Sequence, residues 1–154
     1  MSIQPETTPV TPLKGYRKHW TDGVGNVIFR GLAAIGVGPA SMLTTTGRRT
    51  GLLRSTPVIP VRQGDHQWLV SPYGEVSWLL NARASGQVDL RRGREDHKYA
   101  VREVSAVEAG PILKQYVSVA SATRPYFRAD KTAPINEFIA EAALHPVLEL
   151  TVIR

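Results

Sequence analysis

The chain of 154 residues reads as a small antiparallel β-barrel packed in α+β fashion, and three observations predict it. Short β-branched or alternating segments recur, separated by Gly-, Pro- and Asp-containing turns. Segments with a helical period lie between them and near both ends, and no repeat or second composition regime interrupts the pattern. With 42% hydrophobic residues the chain can bury a core of one-domain size.

Taken in order, residues 1–15 carry Pro5, Pro9 and Pro12 among threonines and are expected to be a flexible tail, with a single domain over residues 16–154. From Tyr16 to about Ala40, Val24, Val27, Ile28, Leu32 and Ile35 fall near one face of an amphipathic helix. That apolar run is too short to cross a bilayer, which takes about 20 residues. With Lys14, Arg17 and Lys18 upstream it suits a cap on the domain's own core or a peripheral contact with lipid. Ser41–Thr46 is expected to be a strand, Leu53–Arg62 a second, and His66–Ser71 a third after the turn at Gln63–Asp65, as a meander. Pro57 and Pro60 each lack a ladder donor and place their segment at an edge, a bulge or a barrel corner. A helix follows at Glu75–Ser85, with Trp78, Asn81, Ala82 and Ser85 on one face and Val76, Leu79, Leu80 and Arg83 on the other. Strands at Gln87–Arg92 and His97–Val107 flank a hairpin turn in "GRED". Helices are expected at Ala109–Ala120 and from Pro134, the latter capped by Thr132 and burying Ile135, Phe138, Ile139 and Ala142. "PVLELTVIR" closes the chain as an alternating strand.

A net charge of +6 and a pI near 10 call for an anionic partner: a phosphorylated small molecule, a nucleic acid or a membrane surface. The absence of cysteine excludes disulfides and thiolate chemistry. "MSIQPETTPVTPL" has neither a basic n-region nor an apolar h-region, so a cytoplasmic location is expected. His19, His66, His97 and His145 show no metal-ligand spacing, and no metal is expected. "DGVGNVI" has Ile28 where a dinucleotide fingerprint needs its third glycine. No G-x-S-x-G elbow and no phosphate-binding P-loop occurs. The arginines at 91, 92 and 94 lack the interleaved aromatics of a nucleic-acid surface, and no nucleic acid is expected as partner.

There remains "TTTGRRTGLLRSTP", from Thr44 to Pro57. Backbone N–H groups in a Gly-flanked turn can converge on one concavity, and Arg48, Arg49 and Arg54 offer planar forks for paired phosphate or carboxylate oxygens. Turn chemistry alone leaves two readings open, an anion cradle and a solvated charged hairpin.

These residues resemble the signature of the deazaflavin-dependent nitroreductase family, split β-barrel oxidoreductases that use coenzyme F420. In that family a threonine-rich strand runs into G-R-[RK]-[ST]-G, then an arginine and a proline. Gly47, Arg48, Arg49, Thr50, Gly51, Arg54 and Pro57 match it. A serine-containing loop and a helix with W-x-x-N follow at Ser71, Trp78 and Asn81, so the similarity spans about Met42 to Val107. Pro72 stands where relatives often carry a basic residue, which removes one expected phosphate contact.

The resemblance implies a split β-barrel with an N-terminal helix, and a reductase that transfers hydride from reduced F420 to a quinone, an enone or a nitro compound. It assigns Arg48, Arg49, Thr50 and Arg54 to the cofactor's phosphate and acidic tail, and Thr56 and Pro57 to the same cofactor site. Ser71, Trp78 and Asn81 would lie along the ring groove, and Tyr126, Tyr73 and Ser71 beside the reacting substrate. An actinobacterial or archaeal source is the natural expectation. Some branches of the superfamily bind lipids or fatty acids without turnover, which is the alternative function. Oligomeric state is left open.

Overall fold

The computed structural model describes residues 40–154. The expected tail and N-terminal amphipathic helix, with any lipid contact made through it, lie outside the described residues.

Seven strands form one antiparallel sheet: β1 Ser41–Thr46, β2 Leu53–Val58, β3 Val61–Gln63, β4 His66–Val70, β5 Gln87–Arg92, β6 Glu95–Glu103 and β7 Val147–Val152, in the order β2-β1-β5-β6-β7-β4-β3. Helix α1 spans Ser77–Ser85, α2 Ala106–Val119 and α3 Ile135–Glu141, with 3-10 turns at Ser121–Tyr126 and Ala142–Leu144.

The expected strand Leu53–Arg62 is two strands, and the reason is Pro60. It offers no N–H to a ladder and holds Ile59 extended, so pairing stops at Val58 and restarts at Val61. The two pieces occupy opposite ends of the strand order. Three residue steps span at most about 11 Å of extended chain. The sheet must therefore curl until its two edges nearly meet, without β2 and β3 pairing, and the result is a split half-barrel of the α+β class. Nor do the strands form a simple meander: β4 pairs with β7, the last strand, rather than with β5. Pro57 lies in β2, an edge strand, as a residue without a ladder donor should.

Each face of the sheet carries its own core, which follows from the two-residue alternation of strands. On one face Leu43, Leu69, Val88, Leu90, Tyr99, Leu148 and Leu150 pack with Leu79 and Ala82 of α1. On the other Val61, Trp68, Val70 and Val147 pack with Ile112, Leu113, Tyr116, Val117, Phe127 and Phe138. Strands β4 and β7 serve both cores, and for that reason Trp68, Leu69 and Val70 of β4 and Val147 and Leu148 of β7 are consecutive buried apolar residues.

Several boundaries differ from expectation. Helix α2 begins three residues earlier, at Ala106, because Ser105 and Glu108 form a reciprocal capping box, which ends β6 at Glu103. Thr132 does not cap α3; its N–H and hydroxyl both go to Asp130 Oδ1, and the N-cap is Pro134, which makes no side-chain bond. Ile135 is 42% exposed and Ile139 half-buried rather than both buried. They still pack on α2, since a Cβ built on Gly110 would sit 2.5 Å from Ile139 Cγ1 and 3.0 Å from Ile135 Cγ2. On α1 the buried positions are Leu79, Asn81 and Ala82, while Ser85 is exposed. The β5–β6 turn is tighter than "GRED": Gly93 and Arg94 alone make it, with Gly93 at φ 59.

Candidate functional site

The β1–β2 connection carries the arginines. Gly47 N–H donates to Leu52 O at 2.7 Å and Gly51 N–H to Gly47 O at 2.8 Å, so the loop closes on itself; Gly51 takes φ 71, open to glycine at little cost. A Cβ on Gly47 would meet Thr50 Oγ1 at 2.9 Å and Leu52 O at 3.1 Å. Thr50 itself accepts the Leu52 N–H.

This loop is held from α1 by Asn81, which is 3% exposed. Its Oδ1 accepts Arg48 N–H at 3.1 Å and Arg48 Nη1 at 3.0 Å, and its Nδ2 donates to Thr45 Oγ1 at 3.3 Å. Thr45 is buried at the end of β1, so one amide fixes strand, loop and guanidinium together. Asn81 thus acts on the loop rather than lying open to a ligand. Trp78, one turn earlier on α1, is half-buried against the core that contains Leu79 and Ala82.

The arginines of the described chain fall into contrasting groups. Arg83 is gripped by Glu103 through two bonds of 2.9 and 2.7 Å and by Glu75 at 2.8 Å. Arg102 pairs with Glu108 and Glu149. These bonds hold both guanidinium pKa values further up, and the Arg102 bond pulls Glu108 down to about 2. Arg48, Arg49 and Arg54 are exposed, and among the described residues no carboxylate pairs with any of them. Thr56 and Pro57 follow on β2, both half-buried. A basic cleft of about 430 Å³ is lined by Arg62, Arg92, Arg94 and Glu95; it includes two arginines of the 91–94 cluster and none of the residues assigned to coenzyme or substrate.

The second group of residues surrounds the loop between β4 and α1. Ser71 is wholly buried; its N–H donates to Pro146 O and its hydroxyl to Gly74 O, where Gly74 takes φ 85. That turn projects Tyr73, which is 38% exposed. Its ring meets Tyr126 edge to face, with centroids 4.6 Å apart and planes at 78°. The two tyrosines, 53 residues apart in sequence, are therefore one feature. Beneath them Tyr116 is buried, and burial pushes its hydroxyl pKa up despite a hydrogen bond to Thr123. Arg124 of the same segment donates to the carbonyls of Val117 and Ser118 at the C-terminus of α2, which explains a basic residue there.

Glu141 and His145 were not singled out as functional from the sequence, yet both are buried in direct contact. His145 Nε2 lies 3.1 Å from Glu141 Oε1, and its Nδ1 lies 2.9 Å from Pro72 O. The i, i+4 spacing of Glu141 and His145 is a local signal of their contact in the sequence. Among the described residues no group of three His, Asp or Glu side chains could hold a metal ion. No helix among them is long and apolar enough to cross a membrane.

Comparison with known proteins agrees with the fold. In fold, the chain is similar to a structure described as an F420-H2 dependent reductase (FDR-A), at TM-score 0.54 and 20% identity over 73% of this chain and 94% of that one. It is also similar to one described as a domain-swapped dimer, at TM-score 0.54 and 19% identity over 86% and 97%. General Stress Protein 26 from Bacillus anthracis follows at TM-score 0.51 and 10% identity over 77% and 83%. A family model described as F420H(2)-dependent quinone reductase matches residues 25–136, well over half of the chain. Coenzyme F420 is accordingly the cofactor, and the chain is an oxidoreductase that belongs to the F420H2-dependent quinone reductase family.

Proposed function

We propose that the chain reduces a quinone with F420H2, the β1–β2 loop holding the coenzyme's anionic tail and the Tyr73–Tyr126 pair bordering the acceptor. The observation that carries this reading is the contrast among arginines. Arg83 and Arg102 are each satisfied by two carboxylates, whereas Arg48, Arg49 and Arg54 have none among the described residues and sit on or beside a loop pre-organised by Asn81. Uncompensated guanidinium forks on a fixed backbone fit a ligand with a phosphodiester and several carboxylates. The donor set therefore suits the coenzyme.

Arg48, Arg49 and Arg54 are assigned to phosphate and carboxylate oxygens. Thr50, Thr56 and Pro57 shape the strand and loop beneath them. Asn81 orients Arg48 and Trp78 flanks the ring groove as a half-buried wall. Ser71 is assigned to holding the turn that presents Tyr73, not to the substrate, because its side chain is buried and its proton lies on Gly74 O.

When bound, the reduced coenzyme supplies a hydride, two electrons with one proton. Conversion of a quinone to a hydroquinone needs one further proton, and the chain offers the Tyr73 and Tyr126 hydroxyls beside solvent to deliver or relay it. Two aromatic rings set edge to face also give a flat acceptor a surface to lie on, which favours a quinone over an aliphatic enone or a nitroalkane. The reading is tested by mixing F420H2 with a water-soluble naphthoquinone and following the return of oxidised coenzyme absorbance. Turnover that falls about 10- to 100-fold in Tyr126→Phe or Tyr73→Phe is the expected result. Turnover unchanged in both removes the tyrosines from the acceptor side.

A further inference from the structure

We infer that Glu141 and His145 form a buried positioning clamp that sets the Tyr73–Tyr126 pair and, through it, the seat of the acceptor. The inference rests on the reading that these tyrosines border the acceptor.

The bonds of the pair account for its role. A carbonyl oxygen only accepts, so the contact of His145 Nδ1 with Pro72 O fixes a proton on Nδ1. His145 Nε2 then faces Glu141 Oε1 at 3.1 Å. The same carboxylate accepts the backbone N–H of Arg128 and of Ala129, each at 3.1 Å to Oε2. Phe127 lies face to face with the imidazole, centroids 3.9 Å apart and planes at 22°. Pro72 is joined to Tyr73 by one peptide bond, and Phe127 to Tyr126 by another. The clamp thus grips both chain segments directly beside the two rings. Its anchor is the end of α3 and the turn that follows, packed on α2 across Gly110.

Burying an ionisable pair is poor value for stability, since an apolar pair of equal volume would do as well or better. Here both side chains are at most 4% exposed, and every polar atom of both is bonded. Such a network defines one arrangement of the segments it joins. It also gives Pro72 a function: its carbonyl, on a backbone stiffened by the ring, is the fixed point that receives His145.

The test compares His145→Phe, which keeps the ring stack and loses both polar bonds, with His145→Asn, whose amide can still donate to Pro72 O, and with Glu141→Gln, which keeps the acceptor for the two backbone N–H groups. Each is assayed in the full chain for F420 Kd, for quinone KM and kcat, and by fluorine NMR of the coenzyme-free protein labelled with fluorotyrosine. Tyr73→Phe and Tyr126→Phe assign the resonances. In His145→Phe the Tyr73 and Tyr126 resonances are expected to move toward that of free fluorotyrosine and quinone KM to rise about 10- to 100-fold. F420 Kd should stay within about twofold, because the Asn81 end of the site is untouched. Asparagine and Glu141→Gln should recover most of both effects. Unmoved resonances in His145→Phe, or equal effects of Phe and Asn, would overturn the clamp. Moved resonances with unchanged quinone KM would support the clamp and overturn the assignment of the tyrosines to the acceptor.

Discussion

Replacing Asn81 by alanine removes the one side chain that ties β1, the arginine loop and Arg48 together. Two bonds to Arg48 and one to buried Thr45 are lost. A neutral bond contributes about 0.5–1.5 kcal/mol and one to a charged group about 1.5–3 kcal/mol. Arg48 is exposed and can turn to water, so its share is discounted, while the Thr45 hydroxyl loses a buried partner. The sum is a loss of about 2–3 kcal/mol, or roughly 4–12 °C in Tm for a chain of this size. Coenzyme affinity should fall as well, because the loop and the Arg48 side chain must then be ordered at the moment of binding. That ordering costs about 2–3 kcal/mol, which weakens Kd by about 30- to 150-fold. Asn81→Asp separates the two effects. It keeps the acceptor for both Arg48 bonds and so most of the stability, but its charge compensates Arg48 and should still weaken coenzyme binding. Differential scanning calorimetry reads the first quantity and fluorescence titration with F420 the second. An Asn81→Ala protein that melts early but binds F420 as the wild type does would refute the assignment of Arg48 to the coenzyme.

Gly110→Ala should destabilise the protein by about 1–2 kcal/mol, overpacking against Ile139 exceeding the helix-propensity gain. In an Ile139→Ala background the same change should become neutral or stabilising, as urea unfolding would show. Acid unfolding tests the Arg102–Glu108 bond. The Glu108 pKa is depressed to about 2, chiefly by that hydrogen bond, so its stabilisation is present above the unfolded carboxylate range near pH 4.5 and is lost as pH falls toward 2. Arg102→Gln should therefore flatten the pH dependence of stability between those limits, measured as urea midpoints, and an unchanged slope would sink the assignment.

The local elements were legible where side-chain chemistry is local. β1 and β5 lie where the threonine run and the "QVDLRR" alternation place them, and the proline rule located the edge. Most of what the sequence leaves open depends on contacts between distant segments. The Ser105-x-x-Glu108 capping box is a local exception, which ends at Glu103 the strand expected to run through Val107. The break at Pro60 is also local, but that it carries the chain from one sheet edge to the other follows only from the pairing of β4 with β7. The same holds for the site. The arginine loop and W-x-x-N motif were visible as a spaced pattern, and the structure gives the spacing a cause in Asn81, which reaches back to the backbone of Arg48. Tyr73 and Tyr126 were singled out separately, and their contact depends on packing across the second core. Ser71 was expected beside the substrate because hydroxyl chemistry is readable in a sequence, whereas its burial is not. The pairing of Glu141 with His145 is hidden for the same reason: buried among apolar residues, the two resemble no motif until Pro72, Arg128 and Ala129 are brought around them.

The central claim is that the uncompensated arginines hold a coenzyme, and a calorimetric titration of the chain with oxidised F420 tests it directly. The account predicts saturable one-to-one binding with Kd on the order of micromolar or tighter. It predicts weakening with added salt and a loss of about 1.5–3 kcal/mol for each of Arg48→Ala and Arg49→Ala, with Tm unchanged in Arg49→Ala and lowered in Arg48→Ala only by the loss of its Nη1 bond to Asn81. No saturable heat at coenzyme concentrations well above micromolar, or equal binding by wild type and the Arg48→Ala, Arg49→Ala double variant, would contradict it.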